Sequence, residues 1–267
     1  MPSYTHLDYP GDIKLTGNIR DILDSLIKTH KESGIELEDK MSVSINAVKK
    51  IKKSLYVAPP QNENGLYHPR NLIHDIRKSL PHGIGVDYMS DIGAVLCWTN
   101  QYLFVSENDT FTLPLNASGM GQTTAGAIGT AIANPDRITI AFVGDCGFLM
   151  NGMEVLTAVK YNIPVIWVIF NNYGYAMVSD CRKIFPKPIP DIITSAKPEG
   201  TDYAMVARGF GAIGIRIEKA GEITPEFMEN ILKQKRPAVL DVVVDKDAVS
   251  PGLKERIDMI LEAQKAL

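Results

Sequence analysis

Hydrophobic spacing divides the chain near residue 60. Before that point apolar residues recur at helical intervals in two short stretches, first Ile19, Ile22, Leu23, Leu26 and Ile27, then again from Ile45 to Leu55. Side chains three and four positions apart share one face of a helix, so each stretch predicts an amphipathic helix. The polar residues Lys31 to Gly34 and Glu36 to Lys40 read as a solvated turn between them. Two such helices cannot enclose a core of their own. The segment is therefore expected to pack on the main domain or on another chain. Val57-Ala58-Pro59-Pro60, continuing to Gly65, combines paired prolines with polar residues and reads as a linker.

Beyond the linker, helical and strand patterns alternate. Helices are expected over Leu72–Leu80, Ser118–Ala133, Asn151–Tyr161, Tyr203–Phe210, Thr224–Lys233 and Leu253–Leu267. Strands are expected over Ile84–Met89, Ile138–Val143, Val165–Phe170, Ala212–Ile217 and Val239–Val244. These strand patterns are near-continuous apolar runs, as befits strands covered on both faces. The expected fold is α/β, a doubly wound and mostly parallel sheet with helices on both faces, preceded by a short helical N-terminal appendage. The expected division is an appendage over residues 1–56, a linker over 57–66, the principal domain over 67–250 and a terminal helix over 251–267.

Composition narrows the class. The 267 residues are 45% hydrophobic and 22% charged, which allows a sizeable core. A net charge of -3 argues against a strongly basic nucleic-acid binder. No apolar run reaches the length of a membrane span, and the first residues lack the basic-then-apolar pattern of a secretory signal. Cys97, Cys146 and Cys181 are an odd set without CxxC spacing, which offers neither a disulfide scaffold nor an iron–sulfur or zinc ligand pattern. A soluble cytoplasmic protein is expected, with neither nucleic acid nor membrane as its partner.

The stretch from Ile138 to Gly174 holds the candidate chemistry. An expected strand ends at Val143, and Gly144-Asp145-Cys146-Gly147 turns into a helix. Ligands of open α/β sheets bind outside the carboxyl ends of the strands. Backbone N–H groups at such a turn suit a phosphate, and Gly144 and Gly147 remove side chains that would block its approach. Asp145 would repel a diphosphate unless a divalent cation lay between them, and Mg²⁺ favours a few oxygen ligands plus phosphates. The next strand ends in Asn171-Asn172-Tyr173-Gly174, one strand–helix–strand crossover further on. If the two strands are neighbours, an Asn carbonyl oxygen and a turn carbonyl complete the cation site.

The pairing of Gly144-Asp145-Cys146 with Asn171-Asn172 resembles the thiamine diphosphate fingerprint, a Gly-Asp-Gly followed after one crossover by Asn-Asn. The resemblance runs from about Pro69 to Asp245 and includes Ser118-Gly119-Met120-Gly121, Ala133 to Arg137, Tyr161 to Val165 and Pro237-Ala238-Val239. It is nearest to the C-terminal, diphosphate-binding domain of the acetolactate synthase, benzoylformate decarboxylase and pyruvate oxidase group.

The resemblance implies thiamine diphosphate and Mg²⁺ as cofactors. Asp145, Asn172 and the carbonyl of Gly174 would hold Mg²⁺. Gly144 and the backbone of Cys146 and Gly147 would cradle the diphosphate, with Tyr175 nearby. Met120 would be the apolar wedge that keeps the cofactor bent, and Ser118, Gly119 and Met120 would meet its aminopyrimidine. Tyr173, Met177 and Val178, with Tyr175, are candidate substrate-pocket residues. The row Gly121, Ala125, Gly129 and Ala133 reads as a small-residue packing ridge.

Several positions depart from the pattern. Cys146 replaces the usual third glycine, Ala94-Val95 follow Asp91-Ile92-Gly93 where polar diphosphate contacts are common, and Cys181 falls where acetolactate synthases carry a tryptophan. In the family a second domain supplies a glutamate that activates the cofactor, and nothing here corresponds to that domain; the appendage over residues 1–56, with Gly11-Asp12-Ile13 and Asn18 to Leu26, resembles the end of the family's middle domain instead. No acid–base residue is identified in the chain, and His6, His30, His68, His74 and His82 do not fill the role. The resemblance therefore implies one half of a 2-oxo acid decarboxylase or carboligase, either a subunit of a split enzyme or a fragment of a longer one. A second chain would carry the pyrimidine-binding domain in a hetero-oligomer with two-fold symmetry. The alternatives are an oxidoreductase half of the pyruvate oxidase kind and a non-catalytic cofactor-binding or regulatory subunit.

Overall fold

In the computed structural model, residues 15–35, 65–182 and 201–265 are described. The chain divides into two compact units, residues 1–56 and 57–267. In the first, helix α1 (Ile19–Ser33) is capped by Asn18, whose side chain accepts the Arg20 N–H at 2.9 Å, and it ends at Gly34 in the left-handed region. None of its residues is buried, so its apolar stripe has no partner within the unit's described residues. The second expected helix, from Ile45 to Leu55, lies outside the described residues, as does most of the expected linker.

The second unit is built on six parallel strands: β1 (Val86–Ser90), β2 (Thr110–Thr112), β3 (Ile138–Gly144), β4 (Val165–Asn171), β5 (Ile213–Ile217) and β6 (Ala238–Val243). Their order in the sheet is β2-β1-β3-β4-β6-β5. Helix α2 (Pro69–Lys78) precedes the sheet. Helices α3 (Ala94–Tyr102) and α4 (Gln122–Ala133) connect β1 to β2 and β2 to β3. Helices α5 (Asp145–Asn151) and α6 (Glu154–Tyr161) link β3 to β4, and α7 (Ala176–Cys181) and α8 (Tyr203–Gly209) lie between β4 and β5. Helix α9 (Pro225–Lys233) leads into β6, and α10 (Pro251–Lys265) follows it.

Alternating side chains of each strand feed two separate cores. Ile140, Phe142, Ile166, Val168, Leu240 and Val242 face α2, α3 and α9. Ala141, Val143, Val165, Trp167, Ile169 and Val239 face α4, α5, α6 and α8. Burial on both faces is why these strands read as continuous apolar runs, and it matches the doubly wound expectation. Charges inside the sheet are paired: Asp87 of β1 receives Arg137 Nε and Thr110 Oγ1, each at 2.7 Å.

The structure revises several expected elements. The helix anticipated from Ser118 starts only at Gln122, because Ser118 (φ 50°) and Gly121 (φ 81°) are left-handed and interrupt it. Helix α3 and strand β2 were not anticipated. β2 is a three-residue edge with no apolar alternation. Of the small-residue row, Ala125, Gly129 and Ala133 point outward, and Thr123, Thr124, Ala127, Ile128 and Ala131 make the buried face of α4. The three cysteines are free. Among the described residues no helix is long and apolar enough to cross a membrane.

Helix α8 packs so closely on β5 that a β-carbon at Gly214 would strike the Ala204 carbonyl oxygen. Gly214→Ala should therefore cost about 1–3 kcal/mol, measured as a lower urea midpoint at unchanged slope. An unchanged midpoint would mean that this contact is not close.

Candidate active site

Connections leave β1 and β3 in opposite directions, so the sheet's switch point lies between these neighbouring strands. A crevice is expected outside their carboxyl ends. The residue that follows β1 there is Asp91, which is fully buried. One carboxylate oxygen accepts the Gly121 N–H at 2.7 Å and the other the Thr123 N–H at 3.3 Å. These bonds anchor the start of α4 to the end of β1. Burial raises the Asp91 carboxyl above the usual carboxylate range, and the backbone donors oppose that rise. From the other side Asn151 donates to the Gly121 carbonyl at 3.1 Å. Gly147 runs directly against Asp91, where a β-carbon would collide with the carboxylate. Met120, next to the twice-held Gly121, lines the cleft.

β3 and β4 are register neighbours, with Gly144 opposite Phe170. Asp145 follows Gly144 and has 1% of its surface exposed, although it carries a carboxylate. Its oxygens accept the Cys146 N–H at 2.8 Å and, across the strand boundary, the Gly174 N–H at 2.9 Å. Burial pushes its pKa up to about 6 against the lowering effect of these donors. The Cys146 thiol is buried beside it and is likewise pushed upward by desolvation and then by the Asp145 charge. A lowered thiol pKa, which helix N-termini can produce, does not arise here.

Gly144, Asp145, Cys146 and Gly147 form the floor of a cavity of about 170 Å³. Asn172, Gly174, Tyr175, Met177 and Val178 form one wall, and Ile92, Gly93, Ala94, Val95 and Trp98 another. Asp245 and Lys246, beyond β6, stand at its margin. The Asn172 side chain has no hydrogen-bond partner among the described residues, whereas the buried Asn171 side chain is committed to Asp241 at 2.8 Å. The Gly174 carbonyl accepts the Ala176 N–H at 3.0 Å.

Residues 91–242, more than half of the chain, match the family model described as thiamine pyrophosphate enzyme, C-terminal TPP binding domain. The chain belongs to this family. It is 25% identical over 242 residues to an acetolactate synthase of Bacillus subtilis, a match covering 89% of this chain and 40% of that protein. It is 27% identical over 193 residues to a sulfoacetaldehyde acetyltransferase of Alcaligenes xylosoxydans, covering 71% of this chain and 31% of that one. Among solved structures, a thiamine diphosphate-dependent 4-hydroxybenzoylformate decarboxylase of Rhodococcus jostii shares the fold. The TM-score is 0.61 at 22% identity, over 72% of this chain and 35% of that one. The chain spans about a third of the length of the curated relatives it matches.

The thiamine pyrophosphate domain gathers most of the expected residues at one place. Met120, Gly144, Asp145, Cys146, Gly147, Asn172, Gly174, Tyr175, Met177 and Val178 all line the cleft. Ser118 and Gly119 do not. Ser118 is exposed, and its hydroxyl donates to the Leu115 carbonyl at 2.9 Å. Tyr173 also stays outside the lining, and its hydroxyl accepts from Arg216 Nη2 at 2.7 Å instead. Cys181, at the end of α7, does not line the cleft either. Among the described residues no histidine and no glutamate does. His68 caps α2, accepting the Arg70 N–H at 3.2 Å.

Asp91 was legible only as the start of a loop; its clamping role follows from contacts to residues some thirty positions away. Asp241 and Arg216 were not anticipated. The signal for Asp241 was a carboxylate within an otherwise apolar strand, a position that demands partners.

Asp145 makes a pH-dependent prediction. Its folded pKa of about 6 lies above the ordinary value of 3.8. Between those values the unfolded carboxyl ionises while the folded one keeps its proton, so ligand-free stability falls as pH rises through this window. The contribution is about 3 kcal/mol. Denaturant titrations from pH 4 to 7 should show the stability difference between Asp145→Ala and wild type moving in the variant's favour. Parallel profiles would show that Asp145 titrates normally.

Proposed function

We propose that this chain is the diphosphate-binding half of a thiamine diphosphate- and Mg²⁺-dependent 2-oxo acid decarboxylase or carboligase of the acetolactate synthase kind. A partner chain with a pyrimidine-binding domain would complete it as a hetero-oligomer with two-fold symmetry. The observation that carries this reading is the meeting of Asp145, Asn172 and Gly174 beside Met120 in one cleft. A carboxylate, a side-chain amide and a backbone carbonyl are hard oxygen donors. They are few, which suits an ion that keeps phosphate oxygens in its shell. A cation would also favour the ionised form of the desolvated Asp145 carboxyl. Among the described residues, no group of three His, Cys, Asp or Glu side chains offers an alternative metal cage.

Bound in this cleft, thiamine diphosphate supplies an electron sink for a 2-oxo acid that loses CO₂. The chain's own contribution is placement. Asp145, Asn172 and Gly174 would fix the cation and, through it, the diphosphate. Gly144 and Gly147 leave room for the phosphates. Met120 would act as the apolar wedge, and Tyr175, Met177 and Val178 would wall the substrate side.

Two observations support a partner. Among the described residues none of those lining the cleft is a glutamate or histidine able to exchange a proton with the cofactor near neutral pH. In addition, α4, α5 and α6 expose Ile132, Leu149, Met150 and Leu156, with Met153 between the last two helices. Exposed apolar side chains on neighbouring helices suit a protein contact.

Asp145→Ala and Asn172→Ala should each abolish saturable, Mg²⁺-dependent thiamine diphosphate binding in titration calorimetry, and unchanged affinity would refute the cation assignment. Native-mass analysis of the protein from its own source should reveal a co-purifying chain carrying the activating glutamate. A homo-oligomer without one would remove the split-enzyme reading.

A further inference from the structure

Asp241 lies within β6 with no exposed surface, and its hydrogen bonds lead back to the cleft. One oxygen accepts from the Asn171 side chain at 2.8 Å. The other accepts the Tyr203 N–H at 2.9 Å and Arg216 Nη1 at 2.7 Å. Arg216 reaches over from β5, and its second terminal nitrogen donates to the Tyr173 hydroxyl at 2.7 Å. Asn171 closes the loop, its side-chain oxygen accepting the Tyr173 backbone N–H at 3.2 Å. Tyr173 is thus held at both ends, by Asn171 at the backbone and by Arg216 at the hydroxyl. Asp241 orients both holders.

The conformation of Tyr173 shows why holding matters. Its φ is 61°, in the left-handed region. That region is unfavourable for a residue with a β-carbon and persists only where the surroundings impose it. Its two neighbours are Asn172 and Gly174, which line the cleft. The Gly174 N–H reaches Asp145 at 2.9 Å because the chain reverses at Tyr173. The network could serve merely to tie β4, β5 and β6 together. That is already done by Arg216, which joins β5 to β6 through Asp241 at 2.7 Å, and by Asn171, which joins β4 to Asp241 at 2.8 Å. The bond from Arg216 to the Tyr173 hydroxyl adds nothing to the sheet; it acts on the turn alone.

We propose that Arg216 and Asp241 are positioning residues for the cofactor site. From outside the cleft they hold Tyr173 left-handed and so keep Asn172 and Gly174 set against Asp145. The proposal rests on the reading of Asp145, Asn172 and Gly174 as cation ligands. Partners of metal ligands that do not themselves touch the metal commonly change metal affinity about 10–100-fold when removed, and the same scale is expected here.

The test is a double-mutant cycle on the full chain in the assembly with which it co-purifies. Mg²⁺ is titrated at fixed thiamine diphosphate into wild type, Arg216→Ala, Tyr173→Phe and the double variant, and heat of binding is measured. Ligand-free melting temperatures are recorded alongside. Each single substitution should weaken Mg²⁺ binding about tenfold or more, and the double variant should lose little beyond Arg216→Ala, because that substitution already breaks the link to the Tyr173 hydroxyl. Lower melting temperatures with unchanged Mg²⁺ affinity would overturn the proposal, as would losses that simply add. Tyr173→Phe removes only a hydroxyl, so it decides the matter even if Arg216→Ala does not fold. Wild type that binds Mg²⁺ and thiamine diphosphate while the variants bind equally well sinks the positioning role alone. Wild type that binds neither sinks the cation reading together with it.

Discussion

Asp145 follows β3, a strand sealed on both faces, and opens α5; across the strand boundary its carboxylate meets the turn after the next strand. The Gly174 N–H, at 2.9 Å, answers it. The ladder from Thr139–Val165 to Gly144–Phe170 aligns β3 with β4, and this bond carries the alignment past the strand ends into the two halves of the fingerprint. Burial without a full set of donors leaves the carboxyl at a pKa of about 6, so its negative charge is costly in the bare protein. A group that brought positive charge to this spot would recover that cost. The fold thus keeps a destabilising feature where binding can use it, a trade expected at functional sites rather than in structural cores.

The same economy governs the backbone around the cleft. Ser118 and Tyr173 are left-handed without being glycine, and both lie in loops that lead to cleft residues. Each strained turn has supports placed outside the cavity. Asp91 and Asn151 hold Gly121 and thereby the end of the Met120 loop. Asn171 and Arg216 hold Tyr173. The floor of the cleft is crowded in a similar way: Gly121 meets the Gly147 carbonyl, and Gly147 meets Asp91. Glycine at these positions follows from contact between neighbouring loops as much as from any ligand. A glycine-rich motif read in sequence therefore reports packing and binding together.

This explains which parts were legible in the sequence. The central strands were visible because burial on both faces makes them almost continuously apolar, as Val165 to Phe170 shows. β1, β5 and β6 were visible despite Asp87, Arg216 and Asp241 because apolar residues dominate around them. Asp145 and Asn172 were visible because chemistry restricts residue type at a fixed crossover spacing. β2 was not visible, since three edge residues with Thr-Phe-Thr carry no periodic signal. The late start of α4 was hidden because Ser118 favours no left-handed turn by itself; there its N–H donates to the Pro114 carbonyl at 3.0 Å, while Asp91 and Asn151 hold Gly121. Tyr173 looked like a pocket residue because it sits between two of them. Its hydroxyl instead meets an arginine 43 positions away, a pairing that no local pattern encodes.

The outer surface of the same unit follows a different logic. Helix α5 begins at Asp145, so the segment that presents the carboxylate to the cleft also presents Leu149 and Met150 to solvent. The exposed row of α4 is small, with Ala125 and Gly129, and leads to Ile132. Outward small residues let another backbone approach closely, and the neighbouring Leu and Met side chains can bury against it. Had these helices only to cover the sheet, polar residues on their outer faces would serve better. Because the floor of the cleft and this outer face share one helix, a chain covering α5 would also stand at the rim of the cofactor cleft.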